Sequence, residues 1–489
     1  MKKEIEVEKQ EEAYNMEKLP VSVLETVLGV DNDKAATLLK AALTQLGRKI
    51  VVLDDDPTGV QTVHGVSVYT SWDEEALRAG FAEDNSIFFI LTNSRGLSTM
   101  ETAVVHADIA KTLCKVAADT GKDYILISRS DSTMRGHFPL ETATLRETVE
   151  QNSAKRFDGE IIFPFFKEGG RYTMENIHYV REGDVLVPAG ETEFAKDKSF
   201  GYTNSHIGAY VEEKTKGAFT QEGCTYISLA DLRAFDVKKI TEQLMAVTDF
   251  GKVIVNAVDY VDVQIFAIAF VRAVLAGKEF MFRSAAAVTK VLGGVADKPL
   301  LNRGDLIEAD NKNGGIVLVG SHVNKTTRQL ELLKDCAQEV LFLEFNQHLV
   351  VTEAGLAPEV ERVVALAEEN IRAGKSVAAF TRRDRFDLDT EDKDKQLAIS
   401  VEISDAVTSI ISKLQVRPSF IIAKGGITSS DVGTKALQVQ KAQVMGQIKP
   451  GIPVWMTGSE SKFPHMPYVI FPGNVGEEYT LRDIVDELS

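Results

Sequence analysis

Short runs of consecutive apolar residues recur along the chain, at KIVVLD, SIFFILT, DYILIS, EIIFPF and KVIVNAV. Between them lie longer stretches such as TAVVHADIAKTLCKVAADTG, whose apolar positions repeat with helical spacing. Runs without a polar centre read as strands buried on both faces, and strands alternating with helices make a mainly parallel sheet. The polar segment ADKPLLNRGDLIEADNKNGG interrupts the pattern, which then resumes with GIVLVG, a helix through TRQLELLKDC, EVLFLEF, SVAAFT, SFIIAKGG, IPVWMTG and YVIFPGN. The second series is not a copy of the first. The expected architecture is therefore α/β: two α/β domains with mainly parallel sheets flanked by helices and an active-site cleft between them. Their expected spans are 48–300 and 313–489. A helical extension, residues 1–47, is expected to precede them, with helical spacing from about residue 20 to Gly47.

Composition sharpens this mainly by exclusion. A hydrophobic content of 44% with 26% charged residues is that of a soluble globular protein, and no apolar run is long enough to span a bilayer, so no membrane partner is expected. The start MKKEIEVEKQEEAYNMEKLP is charged rather than apolar, which excludes a secretory signal and predicts a cytoplasmic protein. Cys114, Cys224 and Cys336 stand far apart with no metal-binding spacing and read as buried, reduced thiols. The net charge of −17 has no basic block set against it, which speaks against a nucleic-acid partner. It also means that an anionic ligand must be met by locally placed Arg and Lys.

Such residues gather where the strands end, the place at which open α/β sheets bind ligands. VVLDDDPTGVQ brings Asp54, Asp55, Asp56, Thr58 and Gly59 directly after a buried strand. Adjacent carboxylates repel, and a turn needs only one of them, so three together point to a polyol, a metal or a proton to accept. LTNSRGLS supplies Asn93, Ser94 and Arg95; ISRSDSTMRGH supplies Arg129, Asp131, Ser132, Thr133, Arg135, Gly136 and His137. Arginine forks suit a carboxylate, and Asp, Ser and Thr suit hydroxyls, so these clusters describe a site for a small polyhydroxy acid. In the second half, FIIAKGGITSSDVGTKAL runs from a strand through Gly425 and Gly426 into a helix that opens with Thr428. Glycine lets a phosphate approach the backbone, and the helix start offers unpaired N–H groups. VLVGSHVNKTTRQ and VIFPGNVGE add Ser321, Lys325, Gly473, Asn474 and Gly476, and together the three turns favour a nucleotide.

In this order the pieces resemble the four-carbon acid sugar kinase family, and the resemblance covers nearly everything from residue 48 onward. The family pattern DDxTG is matched by Asp55 to Gly59, DSTLRG by Asp131 to Gly136 with Met134 for Leu, GGxT by Gly425 to Thr428, and GNFG by Gly473 to Gly476 with Val475 for Phe. The resemblance implies an N-terminal domain that binds a tetronate-type acid, a C-terminal domain that binds ATP, and transfer of the γ-phosphoryl to a terminal hydroxyl with Mg²⁺ beside the phosphates. On that view Asp55 or Asp56 accepts the hydroxyl proton. Arg95, Arg135 and Arg171 of PFFKEGGRYT hold the carboxylate, with Thr58, Asp131, Ser132 and Gly136 completing the acid site. Ser321, Gly425, Gly426, Ile427, Thr428, Gly473, Asn474 and Gly476 contact the nucleotide. No metal ligands stand out. The particular acid stays open among threonate, erythronate and 3-oxo-tetronate, and a homodimer is the base-rate expectation.

Two rivals come from other classes. VVLDDDPTGV also satisfies the DxDxT pattern of haloacid dehalogenase-like phosphohydrolases through Asp54, Asp56 and Thr58; that reading needs an acidic pair downstream, for which Asp259 and Asp262 are the candidates. A metabolite sensor that keeps the acid pocket without catalysis is the other.

Overall fold

The computed structural model describes residues 17–384, 386, 393–473 and 475–489. The chain forms two units: one takes it up to Asp55 and again over Trp72–Ala296, the other takes Asp56–Ser71 and Asp297–Ser489. Both are α/β, with mostly parallel sheets flanked by helices.

In the first unit the strands run in the order Ile87–Leu91, Lys49–Asp54, Tyr124–Arg129, Phe280–Ser284, Gly159–Phe163, Gly251–Val255 and Thr225–Ile227, all parallel. The central strands are buried along their length, which is why they lack polar centres. Phe280–Ser284 was not anticipated: its apolar run is only Phe-Met-Phe before Arg283. Helices are stopped and started by local chemistry. Thr99–Thr120 opens on a capping box between Ser98 and Glu101 and ends at Gly121, whose φ of 64° suits glycine. A small antiparallel sheet joins Arg171–Met174, Ile177–Glu182, Val185–Pro188 and Leu19–Pro20. The helix expected from about residue 20 to 47 is instead a short 3₁₀ turn, Val21–Thr26, followed by the helix Asn32–Leu46, which Asp31 caps.

The second unit has the order Ser67–Tyr69, Lys441–Lys449, Ile452–Thr457, Pro467–Phe471, Ile421–Lys424, Ile316–Val319, Ser376–Thr381 and Val340–Phe345. The last five are parallel, and the first three are joined antiparallel to one another and to Pro467–Phe471. Residues 56–71 lie inside the expected span 48–300, yet they pack with this unit. Ser67–Tyr69 pairs with Lys441–Gln443, Gly65 N donates to Val444 O at 2.7 Å, and Gln61 Nε2 donates to Gly451 O at 2.9 Å. No described helix is long and apolar enough to cross a membrane.

Candidate functional site

Each unit carries a polar cluster at its topological switch point, where successive strands leave in opposite directions along the sheet. In the first unit that point is Lys49–Asp54, flanked by Ile87–Leu91 and Tyr124–Arg129. Register places Asp54 beside Arg129, and Arg129 beside Ser284.

Asp55 is the centre of this cluster. Arg95 grips it with two nitrogens, Nε to Oδ2 at 3.2 Å and Nη2 to Oδ1 at 2.7 Å, while Arg129 Nη1 donates to Oδ1 at 3.0 Å and Ser130 Oγ to Oδ2 at 3.0 Å. Arg129 Nη1 also reaches Asp54 Oδ1 at 2.9 Å, so two adjacent buried carboxylates are held together by one guanidinium. Gly136 sits against this knot with φ of 119°. A Cβ there would lie 2.8 Å from Arg283 Nη2 and 2.9 Å from Ser130 Oγ, so only glycine fits. Arg283 is itself buried, bound to Ser128 Oγ at 2.9 Å and to Glu141, which also accepts from Ser94 Oγ at 2.5 Å.

The loop from Asp131 to Gly136 is strapped from behind. Tyr202 Oη donates to Thr133 O at 2.7 Å, and Tyr210 Oη to Met134 O at 2.8 Å. His178 Nε2 donates to Ser132 O at 2.7 Å, and its Nδ1 lies 3.0 Å from Thr173 Oγ1, from which the neutral ring accepts. Burial holds the His178 pKa down to about 4. On the open side Asp131 accepts from Thr133 Oγ1 and, at 2.6 Å, from Arg135 Nε. Burial alone would raise the Asp131 pKa; Arg135 and Arg95 outweigh it and keep the carboxyl well below the usual carboxylate range. Arg171, at the start of the strand Arg171–Met174, differs from its neighbours. It makes no side-chain hydrogen bond or ion pair among the described residues, its Nε is buried without a partner, and its guanidinium lies 5.6 Å from the centre of the Phe194 ring, where Arg135 lies at 5.0 Å.

In the second unit the switch point is Ile316–Val319, between Ser376–Thr381 and Ile421–Lys424. Val319, Lys424 and Phe471 stand side by side in register, so the turns that follow them converge. Thr326 Oγ1 donates to Ser321 Oγ at 3.3 Å and to Gly473 O at 3.2 Å. Gly425 has φ of 126°, and a Cβ on it would lie 3.1 Å from Ser321 Cβ and 3.3 Å from Thr428 Oγ1. Gly425 is buried, and its conformation and close neighbours suit glycine. Arg383, which sequence reasoning missed, donates from Nη2 to Ser321 O at 2.6 Å, and its Nη1 is buried without a partner.

Asp56 belongs to this unit. Its Oδ1 accepts from Thr58 N at 2.7 Å, and a Cβ on Gly426 would lie 3.5 Å from its Oδ2. Thr58, expected beside the acid-site residues, thus packs with the glycine-turn unit. Ile427 is 70% exposed beside the turn, and Val323 49%. Gly476, with φ of 82°, abuts Thr480 rather than Ser321, and Asn474 lies outside the described residues. Among the described residues no three His, Cys, Asp or Glu side chains gather as a metal site. The acidic pair needed for a phosphohydrolase is otherwise engaged: Asp262 binds Arg233 through both oxygens and caps its helix, and Asp259 pairs with Lys167.

Two family models match the chain, and the first of them spans residues 56–71, which pack with the second unit. Residues 50–292 match the model of a sugar-binding N-terminal domain, and residues 316–481 that of a nucleotide-binding C-terminal domain. Haemophilus influenzae protein HI1011, of the DUF1537 family, is similar in structure at 17% identity and a TM-score of 0.57, over 89% of this chain and 98% of its own. A Salmonella typhimurium LT2 protein with the provisional name tRNA synthase has 15% identity and a TM-score of 0.59 over the same shares. At such identities the likeness concerns the fold alone. Among curated proteins, none matches.

Proposed function

Since this chain belongs to the four-carbon acid sugar kinase family, with a sugar-binding domain followed by a nucleotide-binding domain, we propose that it is an ATP-dependent kinase acting on the terminal hydroxyl of a four-carbon sugar acid. The observation that carries the reading is the succession of those two domains in one chain, each with a polar cluster at its own switch point. A sugar domain joined to a nucleotide domain fits phosphoryl transfer, which asks the protein for positioning and charge neutralisation.

The geometry supports a division of roles among the candidate residues. Asp55 already accepts four hydrogen bonds from Arg95, Arg129 and Ser130, which leaves it no place for a substrate proton. Asp56, whose carboxylate faces the Gly426 backbone, is the better general base for a hydroxyl brought to a phosphate on that turn. Arg95 is engaged with Asp55, and Arg135 Nε with Asp131, so Arg171 is the guanidinium available to grip the acid's carboxylate, with Arg135 beside it. Ser321, Gly425, Gly426, Thr428 and Gly473 would line the phosphates, and exposed Ile427 gives the base an apolar surface. Magnesium bound with the nucleotide would neutralise charge on the transferred group.

The test is ADP release with ATP, Mg²⁺ and a panel of four-carbon sugar acids, with phosphoesters run alongside. ADP release dependent on one acid establishes the kinase and names its substrate. Phosphate release from an ester without ATP overturns it.

A further inference from the structure

Lys424 closes the strand Ile421–Lys424 immediately before the glycine turn, and it is wholly buried. Its Nζ donates to Pro472 O at 2.6 Å and to Gly473 O at 3.3 Å, and it lies 3.7 Å from the centre of the Phe471 ring. No carboxylate pairs with it among the described residues; the one charged group that acts on it is Lys325, on the helix Asn324–Leu332, which is of the same sign. A buried lysine held only by carbonyls and a ring face is unusual, because burial without a counter-charge strongly disfavours the ammonium form. The carbonyls it holds belong to the turn that also accepts from Thr326 and abuts Ser321.

We propose that Lys424 is a positioning residue of the nucleotide site, fixing the Pro472–Gly473 turn against the Gly425 turn, and that the bound phosphates supply the counter-charge its amine lacks. The inference rests on the reading of the second unit's turns as the phosphate cradle. It has a consequence that a merely structural lysine lacks. Burial, reinforced by Lys325, lowers the Lys424 pKa to about 6, so the free protein at pH 7.5 holds the amine largely neutral. An anion arriving nearby favours the charged form, raises that pKa, and draws a proton from solution as the nucleotide binds.

The experiment is calorimetric titration of the full-length protein with ATP and Mg²⁺, without sugar acid, at pH 7.5 in buffers of different ionisation enthalpy. The expected result is a buffer-dependent heat equivalent to uptake of up to about one proton per nucleotide. Lys424→Met should abolish the uptake and weaken binding about tenfold. Lys424→Arg, always charged, should keep most of the affinity and show no uptake. Binding to the unmodified protein with no buffer dependence, or uptake that survives in either variant, overturns the role of Lys424 and leaves the nucleotide site standing. Absence of any nucleotide binding overturns both.

Discussion

At the strand ends of the first unit nearly every arginine is matched by a carboxylate, whereas at those of the second several basic side chains rest on carbonyls and hydroxyls instead. Arg95, Arg129, Arg135 and Arg283 each hold a carboxylate of their own unit, and Arg171 is the exception. Lys325, Arg383 and Lys424 pair with no carboxylate among the described residues. The two arrangements suit different ligands. A small polyhydroxy acid is distinguished by where its hydroxyls lie, so its site benefits from a rigid frame with one free guanidinium. A polyphosphate brings several charges, and a protein of net charge −17 must meet it with basic groups that no carboxylate of its own neutralises.

The neighbours Asp55 and Asp56 give the strongest way to break this contrast. Asp56→Asn should lower turnover by about 10²–10⁴-fold, as loss of a general base does, with the thermal midpoint unchanged; near-normal kcat would remove Asp56 from the chemistry. Asp55→Asn should act instead on folding. It leaves Arg95 and Arg129 short of a partner, and breaking a buried pair costs about 3–5 kcal/mol, read in denaturant melts. A variant as stable as the parent would show that the frame does not depend on Asp55. Arg171→Met should weaken binding of the sugar acid by about 10–100-fold, the worth of a charge-assisted pair, while leaving ATP binding and stability as they were. Equal loss for ATP would erase the distinction between the units. The smallest effect concerns His178. Its pKa falls from an ordinary 6.5 to about 4 on folding, so the unfolded chain binds more protons between these values. The stability it contributes is complete above 6.5 and is lost as pH falls toward 4. His178→Gln should flatten the fall in melting temperature over that interval, and an unchanged slope would show that another group is responsible.

Much of this was legible beforehand because strand ends announce themselves. KIVVLD, DYILIS and SFIIAKGG each pass from apolar to polar within one residue, and the structure puts Asp55, Arg129 and Gly425 where that change occurs. The pairings across the sheet were not legible. Arg95 reads as a ligand for an acid, yet Asp55, forty positions away, engages it once the two strands lie side by side. Nothing local in the sequence says that Arg283 is buried on Glu141 or that Lys424 lies beneath a turn. The assignment of residues 56–71 depended on a strand pair separated by most of the chain, for which composition carries no signal.

That long-range pair bears on how the protein can be divided. A fragment begun at Asp297 resembles a complete domain on paper, but it lacks Ser67–Tyr69 and leaves the Lys441–Gln443 backbone as a bare sheet edge. Open edges of that kind recruit other chains. Expression of the second half alone should therefore yield self-associating material, and a cut at residue 296 is no genuine seam. A workable half would have to carry residues 56–71 grafted through a designed linker.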